Sequence, residues 1–283
     1  MTQHSTLFRR ASAALAMFAA VTAHQAALAV DLAEYSKLLQ GQNCLRCDLR
    51  YLDANGSQLA GRDLRGAYMF NINLERAVLI GAQLESVNLE MGNLERADLS
   101  HARMDRSSAA SANLVGATLI GTSMRQIVAP RANFDAADLS EADLTTANLA
   151  GASLVFAFAE NATFMSANLR AANMKNARMN GVRMVDADLS GANMETARAE
   201  RSNFRRANLT GANMSGARIA HSNFSGAVLH KANLRGADLT GVNLSGADLR
   251  NADMTGAEMG STVLDGARLC GATLTDGRKQ APC

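Results

Sequence analysis

Cys44 and Cys47 stand in a C-x-x-C pair, and Cys270 and Cys283 complete the four cysteines of the 283-residue chain. Such a close pair supports metal ligation, thiol exchange or a structural bridge. A zinc site needs four ligands, and neither a second close pair nor a nearby histidine supplies them. Thioredoxin-like exchange needs a βαβ setting, which the flanking sequence does not offer. Structural disulfides are therefore expected, with pairing local to each end of the chain: an even cysteine count in an oxidising compartment favours them.

Outside the first thirty residues the histidines are His101, His221 and His230, and none has a serine or cysteine at a spacing that would assemble a nucleophilic triad. Phosphate loops and metal-ligand spacings are missing as well. No catalytic residue, cofactor or metal is expected, and the chain is not expected to be an enzyme. The formal net charge of +2 is too small for wholesale nucleic-acid binding, so nucleic acid is not expected as a partner.

Two surface features carry recognition chemistry instead. Arg178, Arg198 and Arg218 recur at intervals of twenty, with Lys175 and Arg201 beside them. If twenty residues form one structural period, the three guanidinium groups stack as a site for an anion or an acidic partner, such as an envelope polysaccharide or a phospholipid headgroup. The alternative is that they splay into water or pair with Glu195 and Glu200. Val155, Phe156 and Phe158 are apolar at places where other segments carry polar or small residues. They mark either a contact surface or a bulge that turns one ring inward.

Whether these residues meet depends on the elements that carry them. Written in fives, the chain runs GRDL RGAYM FNINL ERAVL IGAQL and continues without insertion to DGARL CGATL. From Leu64 to Leu274, the 43 residues at the end of each unit comprise 24 Leu, 10 Met, 4 Phe, 1 Ile and 4 Ala, so this position belongs to a core. The residue two before it is Ala in 31 of the 43, small enough to share that core. Helices repeat their apolar residues at three and four, strands at two. A strict five fits neither and demands a short extended segment and a tight turn in every unit. Glycines such as Gly66, Gly81, Gly116, Gly121, Gly151, Gly236 and Gly246 fall two residues after the core position, where a turn calls for positive φ.

The number of units per coil is also legible. In the series Asn73 to Thr273 at steps of twenty, 8 of 11 residues are Asn, against 7 of 32 at the same place in all other units. A four-unit coil of twenty residues is implied, with stacked asparagines bonding coil to coil. Asn173, Asn193 and Asn213 are then structural glue. Small core residues precede large ones at Ala129 and Phe134, Ala159 and Phe164, and Ala199 and Phe204, which keeps the cross-section constant. About eleven coils at about 4.8 Å each give a rod of about 50 Å. Glu75 with Arg76 and Glu95 with Arg96, again twenty apart, are expected to bridge successive coils.

The ends differ from the array. Arg9 and Arg10, the apolar stretch Ala11 to Val21 and the small residues Ala27 and Ala29 fit a secretory signal peptide over residues 1–29. Cleavage at Ala29/Val30 would leave a mature chain without a transmembrane segment, periplasmic or secreted. Residues 30–43 are expected to form an N-terminal capping helix, opened by a capping box of Asp31 and Glu34 and ended at Gly41. Tyr68, Phe70 and Val78 break the outward polarity near it and are expected to pack under this cap. Residues 44–274 form the solenoid and 275–283 an irregular tail.

The units ANLRG, ADLTG, VNLSG and ADLRN between Ala232 and Asn251 resemble the pentapeptide repeat family, over roughly 230 of the 283 residues. The resemblance implies an all-β fold, a right-handed quadrilateral β-helix, and little about activity. Some members are cytoplasmic DNA mimics that bind DNA gyrase through acidic faces. The export signal and slightly basic balance of this chain favour a different expectation, an exported non-catalytic scaffold for protein–protein interaction. The gyrase-type regulator is the alternative. The partner's identity and the oligomeric state are not legible.

Overall fold

The computed structural model describes residues 32–40 and 42–281. The expected signal peptide, Asp31, Gly41 and Cys283 lie outside them.

From Asp48 onward, each residue just before a core position bridges in parallel to the residue twenty further on, from Asp48 with Tyr68 to Asp253 with Thr273. The bridges are single-residue contacts. Each side of the coil is thus shorter than an ordinary strand, because the chain must turn every five residues. Unit 78–82 shows the bonding. Val78 N–H donates back to Ser57 O at 2.9 Å, and Leu79 N–H donates forward to Asp98 O at 2.7 Å. Gly81 N–H donates to Ser100 O, and Ala82 N–H closes the turn on Leu79 O, both at 2.9 Å. Gly81 has φ +64, the left-handed position that a type II turn requires. Non-glycine residues such as Arg76, Thr146 and Phe156 take the same conformation.

One N–H per unit remains, that of the residue after the core position. Where the unit carries Asp or Asn before its core residue, that side chain accepts it, as Asp98 Oδ1 does from Ser100 N–H at 3.0 Å and Asn73 Oδ1 from Glu75 N–H at 3.2 Å. The acid or amide of the repeat is therefore a turn cap of the Asx type. Asparagine also donates to the coil before, as in Asn193 to Asn173 at 3.2 Å, Asn213 to Asn193 at 3.2 Å and Asn233 to Asn213 at 2.9 Å.

The core is one continuous column of buried side chains, from Leu38 at the N-terminal end through the solenoid. Phe134, Phe164, Phe204 and Phe224 are fully buried within it. Phe204 stacks on Phe224, with centroids 4.5 Å apart. Several units place a hydroxyl where Ala is usual, and among them Ser107 Oγ and Thr122 Oγ1 are buried but bonded to the preceding coil, to Leu84 O at 2.7 Å and Leu99 O at 2.8 Å.

Helix α1, Leu32–Leu39, lies at the N-terminal end. Leu38 is buried against the array. The Glu34 carboxylate accepts Asp48 N–H of the first coil at 2.6 Å, tying α1 to the solenoid, and the expected capping box with Asp31 lies outside the described residues. Tyr68 does not pack under the cap. It stays 54% exposed, since it bridges Asp48 on an outward side. Phe70 meets Tyr51 edge to face at 5.6 Å. At the other end the tail is more regular than expected. Lys279 pairs antiparallel with Thr273, and Gln280 N–H bonds Ala272 O at 2.7 Å. No helix among the described residues is long and apolar enough to cross a membrane.

A candidate recognition face

One side of the solenoid carries the column Asp138, Phe158, Arg178, Arg198, Arg218, Asp238, each residue bridged to the next. Phe158 sits between buried Ala157 and Ala159, so alternation sends its ring outward. The bridges on either side of Phe158 are unbroken, which rules out a bulge. Behind this side the core column runs Ala159, Met179, Ala199 and Ile219, all buried, and the buried Phe164 and Phe204 of the neighbouring side follow the two alanines.

The expected basic and apolar clusters form one surface. The guanidinium carbon of Arg178 lies 5.2 Å from the Phe158 ring centroid, a cation–π contact. Phe156, at the corner beside Phe158, is 58% exposed. Val155 is half-buried, its N–H held by Asp135 Oδ1 at 2.9 Å. Lys175 pairs with Glu195 at 3.0 Å and Arg218 with Glu200 at 3.1 Å. Arg198 and Arg201 are exposed and enter no ion pair among the described residues.

Other charges are spent locally. Arg76 pairs with Glu75 at 3.4 Å and Arg96 with Glu95 at 3.8 Å. These pairs lie within one corner and do not bridge successive coils as expected. The two residues are chain neighbours, and the shorter reach wins. Arg206 binds Asp186 across one coil at 2.6 Å, and this contact holds the Asp186 carboxyl below the usual range.

Among the described residues the histidines stand apart from one another. His101 and His221 sit on corners with positive φ, packed over Gly121 and Gly241 one coil on. A shallow depression is lined by Asp105, Arg106, Arg125 and Gln126. There Asp105 accepts from Ser123 Oγ and Arg125 N–H, while the Arg125 side chain binds Asp143 at 2.6 Å. No cluster of His, Cys, Asp and Glu among the described residues could hold a metal. Cys44 and Cys47 form a disulfide with Cα atoms 5.4 Å apart. Cys270 is also disulfide-bonded, and its expected partner Cys283 lies outside the described residues.

A four-sided β-solenoid with a dry, continuous core and outward columns of stacked side chains is a repeat protein. The chain belongs to the pentapeptide repeat family, whose model matches in 8 copies across residues 93–126 and, in overlapping copies, 131–276. No curated protein matches it. Among solved structures it is similar to HetL, a pentapeptide repeat protein involved in heterocyst differentiation regulation in the cyanobacterium Nostoc sp. strain PCC 7120. That match has 28% identity over 87% of this chain and 97% of HetL, with a TM-score of 0.39. A pentapeptide repeat protein of the Arabidopsis thaliana thylakoid lumen matches at 30% identity over 37% of this chain and 70% of its own, TM-score 0.30. QnrB1, a plasmid-mediated fluoroquinolone resistance protein, matches at 21% identity over 57% of this chain and 88% of its own, TM-score 0.29.

Proposed function

We propose that this pentapeptide repeat protein is exported, loses residues 1–29, and serves outside the cytoplasm as a rigid, non-catalytic scaffold presenting its sides to a protein partner. The observation that carries the reading is the fixed stacking of outward side chains over one unbroken core. Such a frame places recognition groups at strand spacing without the convergent acid, base and nucleophile that catalysis needs. The Cys44–Cys47 disulfide supports an oxidising compartment. An acidic-face mimic of DNA finds no comparable support, since no column of the described coils carries three consecutive carboxylates.

Two measurements test the reading. Intact mass and N-terminal analysis of separated fractions from a Gram-negative host, without reductant, should yield a periplasmic species beginning near Val30 and lacking about four hydrogens. A full-length cytoplasmic species with free thiols refutes export. A photoreactive residue placed in turn at Thr196, Arg201, Arg206 and Lys231, which sample the four corners, should give a discrete protein adduct in cells from at least one corner. Failure at all four refutes the scaffold.

A further inference from the structure

The side that carries Phe158, Arg178, Arg198 and Arg218 interrupts the commonest pattern of the solenoid. At that place in the unit, Asp or Asn caps the following N–H, as Asp98 and Asp138 do on this same side. The four residues from Phe158 to Arg218 supply no such cap in four consecutive coils, the longest such run on any side of the array, and Glu200 N–H finds a substitute in Asn180 Oδ1 of the coil before, at 2.9 Å. Three of them stack like charges at about 4.8 Å, which is unfavourable. Neighbouring groups relieve only part of this: Phe158 lies under Arg178 and Glu200 binds Arg218, while Arg198 has no ionic partner among the described residues. A stretch that forgoes the repeat's own turn caps and accumulates repulsion is a site where local stability has been given up for something else.

We propose that this column is a docking strip for an extended acidic segment of the partner protein, with an apolar residue at the end that meets Phe158. The proposal rests on the scaffold reading above and names the partner's chemistry. Charge complementarity assigns carboxylates to Arg178, Arg198 and Arg218, and Arg198 is the group with most to gain from one. The exposed rings of Phe156 and Phe158 continue the strip at its N-terminal end. A purely anionic polymer, whether glycan or lipid headgroup layer, leaves those rings unmatched, whereas a peptide supplies both chemistries. Three coil spacings make about 14 Å, the length of about four to five extended residues.

The test uses the purified protein and a fluorescein-labelled peptide of alternating glutamate and aspartate ending in leucine and phenylalanine, followed by anisotropy. Binding should weaken with added salt. It should fall at least about tenfold when Arg178→Ser, Arg198→Ser and Arg218→Ser are combined. Thermal unfolding of that variant checks that the solenoid is intact. Phe158→Ser should weaken this peptide several-fold yet leave an all-acidic peptide unaffected. Equal binding by the triple variant overturns the proposal, as does retention on heparin or phosphatidylglycerol vesicles without peptide binding. Photoadducts confined to Arg206 and Lys231, away from this side, would leave the scaffold standing and overturn the docking strip alone.

Discussion

The guanidinium carbon of Arg178 lies 5.2 Å from the ring centroid of Phe158, one coil earlier. That contact offsets the cost of the first arginine in the column, and Glu200 does the same for the last. Arg198 is held between two like charges with neither form of relief. Arg198→Ser should therefore stabilise the fold by a few tenths of a kcal/mol, while Glu200→Gln should destabilise it by a similar amount. Paired urea unfolding curves decide the signs.

Ser222 Oγ accepts Ser202 N–H at 2.9 Å and donates to Ala199 O at 2.8 Å. A turn that other units close directly, as Ala207 N–H does on Phe204 O at 3.0 Å, closes here through a buried hydroxyl. Ser222→Ala leaves two buried backbone groups without that partner and should cost about 1–3 kcal/mol. A midpoint unchanged in urea would show that the turn can relax to the direct bond.

Gly241 has φ +67, and a Cβ built on it would lie 2.5 Å from His221 Nδ1. Gly241→Ala combines the left-handed backbone penalty of about 1–2 kcal/mol with a collision. Adding His221→Ala should remove the collision part and leave the backbone part, so the double variant should unfold between wild type and Gly241→Ala.

Thr146 is β-branched at φ 57, a conformation costly for such residues. Its hydroxyl bonds the adjacent Thr145 O, at 2.7 Å. Thr146→Gly should raise stability by about 1 kcal/mol, after allowing for glycine's greater unfolded entropy. A lowered melting temperature would contradict this.

Asp63 and Asp248 are held below the ordinary carboxylate range, chiefly by side-chain hydrogen bonds from Arg65 and Arg250. A depressed folded-state value contributes stability above the unfolded pKa of about 3.9, lost as pH falls through the lower folded value. The melting temperature should be nearly flat from about pH 7 to pH 5 and fall below about pH 4. Asp63→Asn with Asp248→Asn should flatten that acid limb.

The coil length was legible because stacked residues share an environment, and asparagine, which bonds both its own turn and its neighbour coil, leaves a twenty-residue trace. The cap role of Asp and Asn was less visible, since it concerns an N–H that the pattern does not name. Register says which backbone positions stack and not which way a long side chain swings. For this reason Glu75 with Arg76 resolved into a corner pair. Register alone joins Phe158 to Arg178, which are twenty apart, yet their different chemistry made them look like unrelated clusters. The Ser202 and Ser222 hydroxyls were signalled only as exceptions to alanine.

The bridge rule, which joins every residue before a core position to the one twenty later, sets what insertions and deletions can do. Loss of twenty residues rejoins each column to itself and shortens the protein like a link removed from a chain. Loss of five rejoins it to the adjacent side, so everything downstream is indexed by a quarter-turn. A five-residue deletion between Phe158 and Arg178 would keep the core sealed and carry the arginines round the corner from the phenylalanines. Evolution of such a protein can redistribute its surface by rotation, with no side chain replaced.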